Sequence, residues 1–327
     1  MEKSGETLGI VIPCFNEWEA LCLLLPRIDQ VLAGSRWRPM ILIVDDASIE
    51  PLPADWPPAV EVLHLRCNLG HQRAIALGLY QMYSFTNASA VIVMDGDGED
   101  RAEDLPALLE EFERGGRKEI VFAARGKRME SAVFQFFYGL YRWLHLALTG
   151  IEVRVGNFSV LPRAALTRLM AVSDLWNHYA AAVYRARLPH RWRVLDRGSR
   201  LAGKSKMNFV SLMVHGFTAM SVFSDQVGAR VLAASVGLAL LTALAAGACW
   251  LFGLHGWETS ATGWMAILVM QALTFAVLFV FTIVSRRSAT NFILLRDAQF
   301  FVLGRTGGDL DRLGSGLAET REAALRR

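Results

Sequence analysis

Residues 91–100 read VIVMDGDGED, an apolar run that ends on Asp95, Asp97, Glu99 and Asp100. A second apolar run, ILIVDD, ends on Asp45 and Asp46. Two carboxylates about 4 Å apart repel by roughly 4 kcal/mol at an effective dielectric near 20. A fold that gathers them therefore needs water, a basic partner or a metal ion to offset the charge. Gly96 and Gly98 permit a tight turn in which Asp95 and Asp97 aim at one point. Hard oxygen donors of limited charge suit Mg²⁺ or Mn²⁺, which share their coordination shell with water and ligand phosphates. The alternative for a single D-x-D is an acidic turn capping the helix that starts near Glu103. A second acidic strand end favours the metal.

The elements that must position these acids follow a βα rhythm of short apolar runs and amphipathic stretches, the mark of an α/β domain. Strands are expected near Gly9–Pro13, Met40–Asp45, Val60–Leu65, Ala90–Met94 and Glu119–Ala123, and helices near Glu17–Leu32, Gln72–Tyr83 and Glu103–Arg114. Asn16 reads as the N-cap of the first helix, with Glu19 three residues on. Beyond residue 125 the pattern gives a helix over 129–148, a strand over Val155–Leu161 and one or two helices over 163–187. Ligands of an open parallel sheet sit beyond the carboxyl ends of its strands, which is where both acid pairs fall. His178 lies among Trp, Tyr and Ala at helical spacing and reads as packing rather than catalysis. His71 opens a helix after a glycine turn, either as a helix-end residue or as a nucleotide contact.

The second half of the chain is of another kind. No residue is charged from Val231 to Leu254 or from Gly263 to Ser285. Each run exceeds the roughly 20 residues a helix needs to cross a bilayer, and a short HGWETSAT loop separates them. This predicts a transmembrane hairpin. Arg230, Arg286 and Arg287 flank the runs while the loop carries only Glu258, so the positive-inside bias places both termini in the cytosol, at the inner membrane. The organisation expected is a cytosolic domain over 1–207, an interfacial amphipathic region over 208–228, two spans within 229–286 and a cytosolic tail over 287–327. FILLRDAQFFVL (292–303) reads as a further interfacial helix. Cys14, Cys22, Cys67 and Cys249 have no zinc-like spacing and read as reduced thiols. A net charge of +3 is too small to suggest nucleic acid, although basic residues cluster over 114–128, facing anionic headgroups, a phosphorylated ligand or solvent.

Five motifs in order resemble the glycosyltransferases of family 2, which have the GT-A fold, and within them the dolichol-phosphate-mannose-synthase-like branch. They are Val11-Ile12-Pro13-Cys14-Phe15-Asn16-Glu17, Ile43-Val44-Asp45-Asp46-Ala47-Ser48, Asn68-Leu69-Gly70-His71-Gln72-Arg73-Ala74 with Gly78, Met94-Asp95-Gly96-Asp97-Gly98-Glu99, and Arg200-Leu201-Ala202-Gly203-Lys204-Ser205-Lys206. The resemblance covers about residues 8–225. It implies a Rossmann-like, mostly parallel sheet, a UDP- or GDP-sugar donor and an inverting transfer. It also implies roles for single residues: Asp97 as metal ligand with Asp95 and Glu99 close by, and Arg200, Ser205 and Lys206 over the diphosphate or the acceptor phosphate. The remaining donor-binding residues are Pro13, Asn16, Glu17, Asp45, Asp46, Asn68, Gly70 and Arg125, with Arg128 a looser match.

This chain departs from the pattern in three places. Glu99 replaces the usual Gln, Arg101-Ala102 the usual Pro-Pro, and Asn157 falls where some relatives carry an Asp proposed as base. Asn157 cannot take a proton. A phosphomonoester, with a second pKa near 6, is already ionised at pH 7, whereas a sugar hydroxyl needs a base. The substitution therefore favours a polyprenyl phosphate acceptor over a glycolipid or other alcohol, provided none of Asp95, Asp97 and Glu99 is the base. A receiver domain of bacterial signalling also groups acids around Mg²⁺, but at other strands and without a hairpin or a Gly-x-Ser-Lys loop. A non-catalytic membrane scaffold has no use for crowded acids. The number of subunits, a homo-oligomer included, is left open.

Overall fold

The computed structural model describes residues 5–125, 132–151, 155–196, 198–203, 216–251, 261–288 and 294–307. Side chains alternate across a strand, and in the three central strands both faces are apolar. In β1 (Glu6–Cys14) Leu8, Ile10 and Ile12 join one core while Val11 joins the other. In β2 (Trp37–Asp45) Ile41 and Ile43 part from Leu42 and Val44 in the same way, and in β4 (Ala90–Val93) Ala90 and Ile92 part from Val91 and Val93. Two helical layers therefore cover the sheet. Helices α1 (Trp18–Leu32) and α3 (Leu105–Arg114) pack on one face, and α2 (His71–Phe85), α5 (Arg163–Leu169) and α6 (Tyr179–Arg185) on the other. Burying a Leu or Ile side chain contributes about 1.5–3 kcal/mol, so β1, apolar and buried on both faces, is firmly held.

The remaining strands are β3 (Glu61–Leu65), β5 (Ile120–Arg125), β6 (Val155–Pro162), β7 (His190–Leu195) and β8 (Val302–Thr306). The sheet order is β7-β5-β6-β4-β1-β2-β3-β8. Strands β4, β1, β2 and β3 run parallel, β6 runs antiparallel to both β4 and β5, β5 pairs parallel with β7, and β8 pairs antiparallel with β3. This is the α/β, mostly parallel architecture expected. The expected strands and helices of the first 125 residues form within a few residues of their expected bounds.

Three local expectations are corrected. Asn16 does not cap α1: the cap position is Glu17, without a side-chain hydrogen bond. Asn16 adopts φ 52°, and its side-chain oxygen accepts the Ile49 and Glu50 N–H groups at 2.7 and 3.0 Å, tying the β1 turn to the β2 turn. Of the interfacial helix expected over 292–303, residues 292 and 293 lie outside the described residues, and 294–303 do not form one helix. Helix α9 (Leu294–Asp297) and a 3₁₀ turn (Ala298–Phe301) lead into β8, with Leu294 and Ala298 buried in the core of the sheet. Strand β7 was not foreseen, because its arginines and aromatics suit the exposed edge it forms and give no strand-like alternation of core residues.

The chain divides into two compact units, one of Met1–Met129, Arg154–Phe209 and Asn291–Arg327, the other of Glu130–Val153 and Val210–Thr290. The second unit holds α4 (Ala132–Thr149) and two 28-residue helices, α7 (Ser224–Leu251) and α8 (Ala261–Ser288). In both long helices the backbone is described throughout, while some side chains are not. Among the described residues no helix is long and apolar enough to cross a membrane, so the hairpin expected from the sequence is not shown here. Of the expected interfacial region, residues 216–221 are helical and 208–215 lie outside the described residues.

Helix α2 approaches the sheet through Gly78, where an added Cβ would lie 2.3 Å from Val11 Cγ1 and 2.9 Å from Val44 Cγ2. Gly78→Ala is expected to destabilise the protein by about 1–3 kcal/mol through overpacking. Gly228→Ala in α7, whose Cβ would meet nothing within 4 Å, is expected to be neutral or stabilising. Thermal unfolding of the two variants in detergent checks the contrast.

Candidate functional site

Parallel order places the ends of β4, β1 and β2 side by side, with β1 in the middle. The register pairs Cys14 with Asp45, and Asp46 N–H donates to the Cys14 carbonyl at 2.8 Å. Pairing of β1 with β4 ends at Val11 and Val93, so Pro13, which has no N–H to give, lies past that ladder. Neighbouring strands are about 4.8 Å apart, which sets the β2 and β4 acids roughly 10 Å from one another across β1.

Each acid at this edge has partners. Asp45, buried, accepts the Ser48 N–H at Oδ1 (2.8 Å) and meets His64 Nδ1 at Oδ2 (2.8 Å). Burial pushes its carboxyl up, but the hydrogen bonds from His64 and Ser48 outweigh burial and hold it below the usual carboxylate value. Asp46, 3 % exposed, accepts the Leu69 and Gly70 N–H groups at 2.7 and 2.8 Å, fixing the turn into α2, where Gly70 adopts φ 92°. Burial dominates at Asp46 and raises its carboxyl above the usual value in spite of those two amides. Asn68, in the same turn, is exposed.

On the β4 side, Asp100 Oδ2 accepts the Asp95 N–H at 2.8 Å and Asp97 Oδ1 accepts the Glu99 N–H at 2.9 Å. These two bonds shape the acidic turn. Arg200 then joins two elements: Nη1 donates to Asp97 Oδ2 and Nη2 to Glu17 Oε1, both at 2.7 Å. The segment carrying Arg200 is seated on the turn by Gly198 N–H to the Glu99 carbonyl and Leu201 N–H to the Asp97 carbonyl, each 2.9 Å. Gly98 adopts φ 85°, and a Cβ there would lie 2.3 Å from Leu201 Cγ, so only glycine fits beneath that segment.

His71 Nε2 lies 3.2 Å from Asp95 Oδ1 and 3.1 Å from Asn157 Nδ2. Burial pulls its imidazole down, but the charge and hydrogen bond of Asp95, with Asp100 and Glu17 beyond, leave it above its ordinary value. The Asn157 amide is oriented from behind. Tyr179 N–H donates to Gln72 Oε1 at 2.8 Å, so Gln72 Nε2 is the end that donates to Asn157 Oδ1 at 3.1 Å. Gln72 and His64 escaped the sequence reading, since no motif spacing links either to its partner. His178 takes the structural role expected of it: buried at the start of α6, its ring accepts the Ala181 N–H.

The residues thus brought together are Pro13, Asn16, Glu17, Asp45, Asp46, Gly70, Asp95, Asp97 and Arg200. Glu99 lines a separate small cavity with Asp100, Asp104, Gly156 and Phe158. Among the described residues no group of three His, Cys, Asp or Glu is disposed to hold a metal ion. The pair Asp95 and Asp97 fits Mg²⁺ or Mn²⁺ better, because such ions are held by one or two carboxylates plus substrate phosphates rather than by an all-protein cage. Ser205, Lys206 and Arg128 lie outside the described residues, as does the Arg125 side chain; the Arg125 backbone belongs to β5.

The family model for glycosyl transferase family 2 matches residues 9–169, which takes in both acidic strand ends and Asn157. Residues 9–169 form a family 2 glycosyltransferase domain. Among relatives of this glycosyltransferase, the bactoprenol glucosyl transferase of Shigella phage SfX is 25 % identical over 233 residues, covering 66 % of this chain and 73 % of that one. The undecaprenyl-phosphate 4-deoxy-4-formamido-L-arabinose transferase of Erwinia tasmaniensis is 30 % identical over 137 residues, 40 % of each chain. Among solved structures, glucosyl-3-phosphoglycerate synthase from Mycobacterium tuberculosis, in complex with Mn²⁺, UDP-glucose and phosphoglyceric acid, aligns with a TM-score of 0.49 at 16 % identity over 69 % of this chain and 81 % of that one.

Two outcomes follow for the glycosyltransferase. Removing Arg200 strands two carboxylates that are each about one-fifth exposed or less. Arg200→Ala should therefore cost about 3 kcal/mol, and a double-mutant cycle with Asp97→Asn should return a coupling of about 1–3 kcal/mol, read from denaturant unfolding. Because the folded-state pKa of Asp45 is depressed, its contribution to stability is complete above the ordinary carboxylate value of 3.8 and is lost as pH falls through the depressed value. Asp45→Asn should accordingly flatten the acid limb of a stability–pH curve; an unchanged limb would contradict the assignment.

Proposed function

We propose that this glycosyltransferase moves one sugar from a UDP- or GDP-sugar to a polyprenyl phosphate at the cytosolic membrane face, inverting the anomeric carbon by single displacement. The observation that carries the reading is the acid pair Asp95 and Asp97 at the end of β4, with the Arg200 cation on Asp97. The names of the phage and Erwinia relatives support the lipid-phosphate acceptor.

In this reading Asp95 and Asp97 would hold Mg²⁺ or Mn²⁺, which when bound neutralises charge growing on the leaving diphosphate. Arg200, with Ser205 and Lys206, offers cationic and hydroxyl donors to that diphosphate or to the acceptor phosphate. Asp45 would take the nucleoside, with Pro13, Asn16, Glu17, Asp46, Asn68 and Gly70 as the further donor-binding residues, to which the motif pattern alone adds Arg125. Asn157, its amide oriented by Gln72, cannot accept a proton. A lipid phosphate, ionised at pH 7, needs positioning rather than a base, and this supports the phosphate over an alcohol as nucleophile.

Membrane attachment belongs to the same proposal. Helices α7 and α8 would form the two-span hairpin, with charge-free runs at 231–254 and 263–285 flanked by arginines. Leu232, Val236, Leu240 and Leu244 recur every four residues along α7 and are all exposed, an apolar stripe that suits lipid.

The test uses membranes carrying the full chain, undecaprenyl phosphate and labelled UDP- and GDP-sugars. Label should pass into organic solvent with one donor, stop with EDTA, and fall about 100-fold or more in Asp97→Asn. Label that moves only when a glycolipid is supplied would replace the phosphate acceptor with an alcohol.

A further inference from the structure

The carboxylate of Asp45 is held from a part of the chain far from the donor motifs. Its Oδ2 meets His64 Nδ1 at 2.8 Å, and the other ring nitrogen, Nε2, meets Thr306 Oγ1 at 3.0 Å. His64 stands opposite Asp45 in the β2–β3 register, and β8 runs alongside on the other flank of β3. Asp45 is acceptor-only when ionised, so the Nδ1 nitrogen carries the proton toward it. The far nitrogen is then left to the Thr306 hydroxyl, which turns to suit it. Neither ring nitrogen is spare, and the ring plane is fixed at both ends.

Strand β8 is itself pinned. Arg305 pairs with Glu61 at 3.1 Å, donates to Gln81 Oε1 and lies 5.0 Å over the Phe85 ring. Just before β8, the Arg66 N–H donates to the Phe301 carbonyl at 2.8 Å. The strand therefore presents Thr306 at a defined place on the sheet edge.

We propose that His64 is a positioning residue for Asp45 and that β8, through Thr306, completes the nucleotide subsite of the enzyme. With the Ser48 N–H and hydroxyl and the His64 ring on the carboxylate, about one of its roughly four acceptor directions is left for a ligand. The hydroxyl and ring N–H groups of a nucleoside are donors of that kind. The inference rests on the reading of Asp45 as the nucleoside-binding carboxylate. It adds that the donor site is assembled only when the segment following α8 has returned to the sheet.

The test is calorimetric titration of detergent-solubilised full chain with UDP and with GDP, alongside steady-state transfer. His64→Leu removes both contacts and should raise the Kd of whichever nucleotide binds by about 10–100-fold, the loss of a hydrogen bond to a charged group. His64→Asn restores an N–H at the Nδ1 position and should recover most of that loss. Thr306→Val, at an exposed position, should raise the Kd about 2–10-fold, and Thr306→Ser should not. The KM for the lipid acceptor and kcat at saturating donor should stay within about 2-fold in every variant that folds. Unchanged nucleotide affinity in both His64→Leu and Thr306→Val would overturn the relay, as would equal losses in His64→Asn and His64→Leu. Wild-type protein that binds neither UDP nor GDP would instead overturn the nucleotide reading, and the relay with it.

Discussion

Arg200 forms the contact on which the site depends, one guanidinium spanning the carboxylates of Glu17 and Asp97. Five acids, Glu17, Asp45, Asp46, Asp95 and Asp97, gather at the ends of three adjacent strands, and in the partly buried edge of a sheet their mutual repulsion must be answered locally. The answers differ in kind. A forked cation serves Glu17 and Asp97, two backbone amides serve Asp46, a histidine and an amide serve Asp45, and another histidine serves Asp95. The Asp46 amides and the Asp45 histidine are fixed inside the fold. The Arg200 contact is delivered by the segment 198–203, packed through Leu201 onto Gly98. A ligand with its own negative charge, such as a diphosphate with a divalent ion, fits an arrangement in which cation and carboxylates already alternate.

The sheet makes this possible by its order rather than by any special loop. Strand β1, buried on both faces, lies between the two acidic strands, so both acid pairs are anchored to a strand packed on each side. Gly78 lets α2 come close enough to seat His71 and Gln72 at its first turn, and Gln72 then orients Asn157 on β6. Chemistry at the edge and packing in the middle are in this way one structure.

Much of this was legible in the sequence because it is local. Apolar alternation in ETLGIVIPC and MILIVD gives the strands, and D-D and D-G-D at their ends give the acids. The pairing of Asp45 with His64 spans 19 residues and that of His64 with Thr306 spans 242, separations over which no periodicity or cap rule operates. The role of Asn16 was misread for a related reason: an Asn before a helix looks like a cap, and only the tertiary approach of Ile49 and Glu50 shows where its oxygen goes. Residues 292–303 misled because an apolar segment after two apolar runs reads as interfacial, whereas a sheet edge left bare at β3 is an equally good place to bury it.

The most direct measurement is electron paramagnetic resonance of Mn²⁺ titrated into the detergent-solubilised full chain with a nucleoside diphosphate present. If the acids at the end of β4 hold the ion together with the diphosphate, wild-type protein should bind one Mn²⁺ whose signal depends on the nucleotide. Asp97→Asn should abolish that signal and Asp46→Asn should keep it. An equal signal in Asp97→Asn, or the same Mn²⁺ binding with and without nucleotide, would contradict the assignment of this strand end as the seat of sugar transfer.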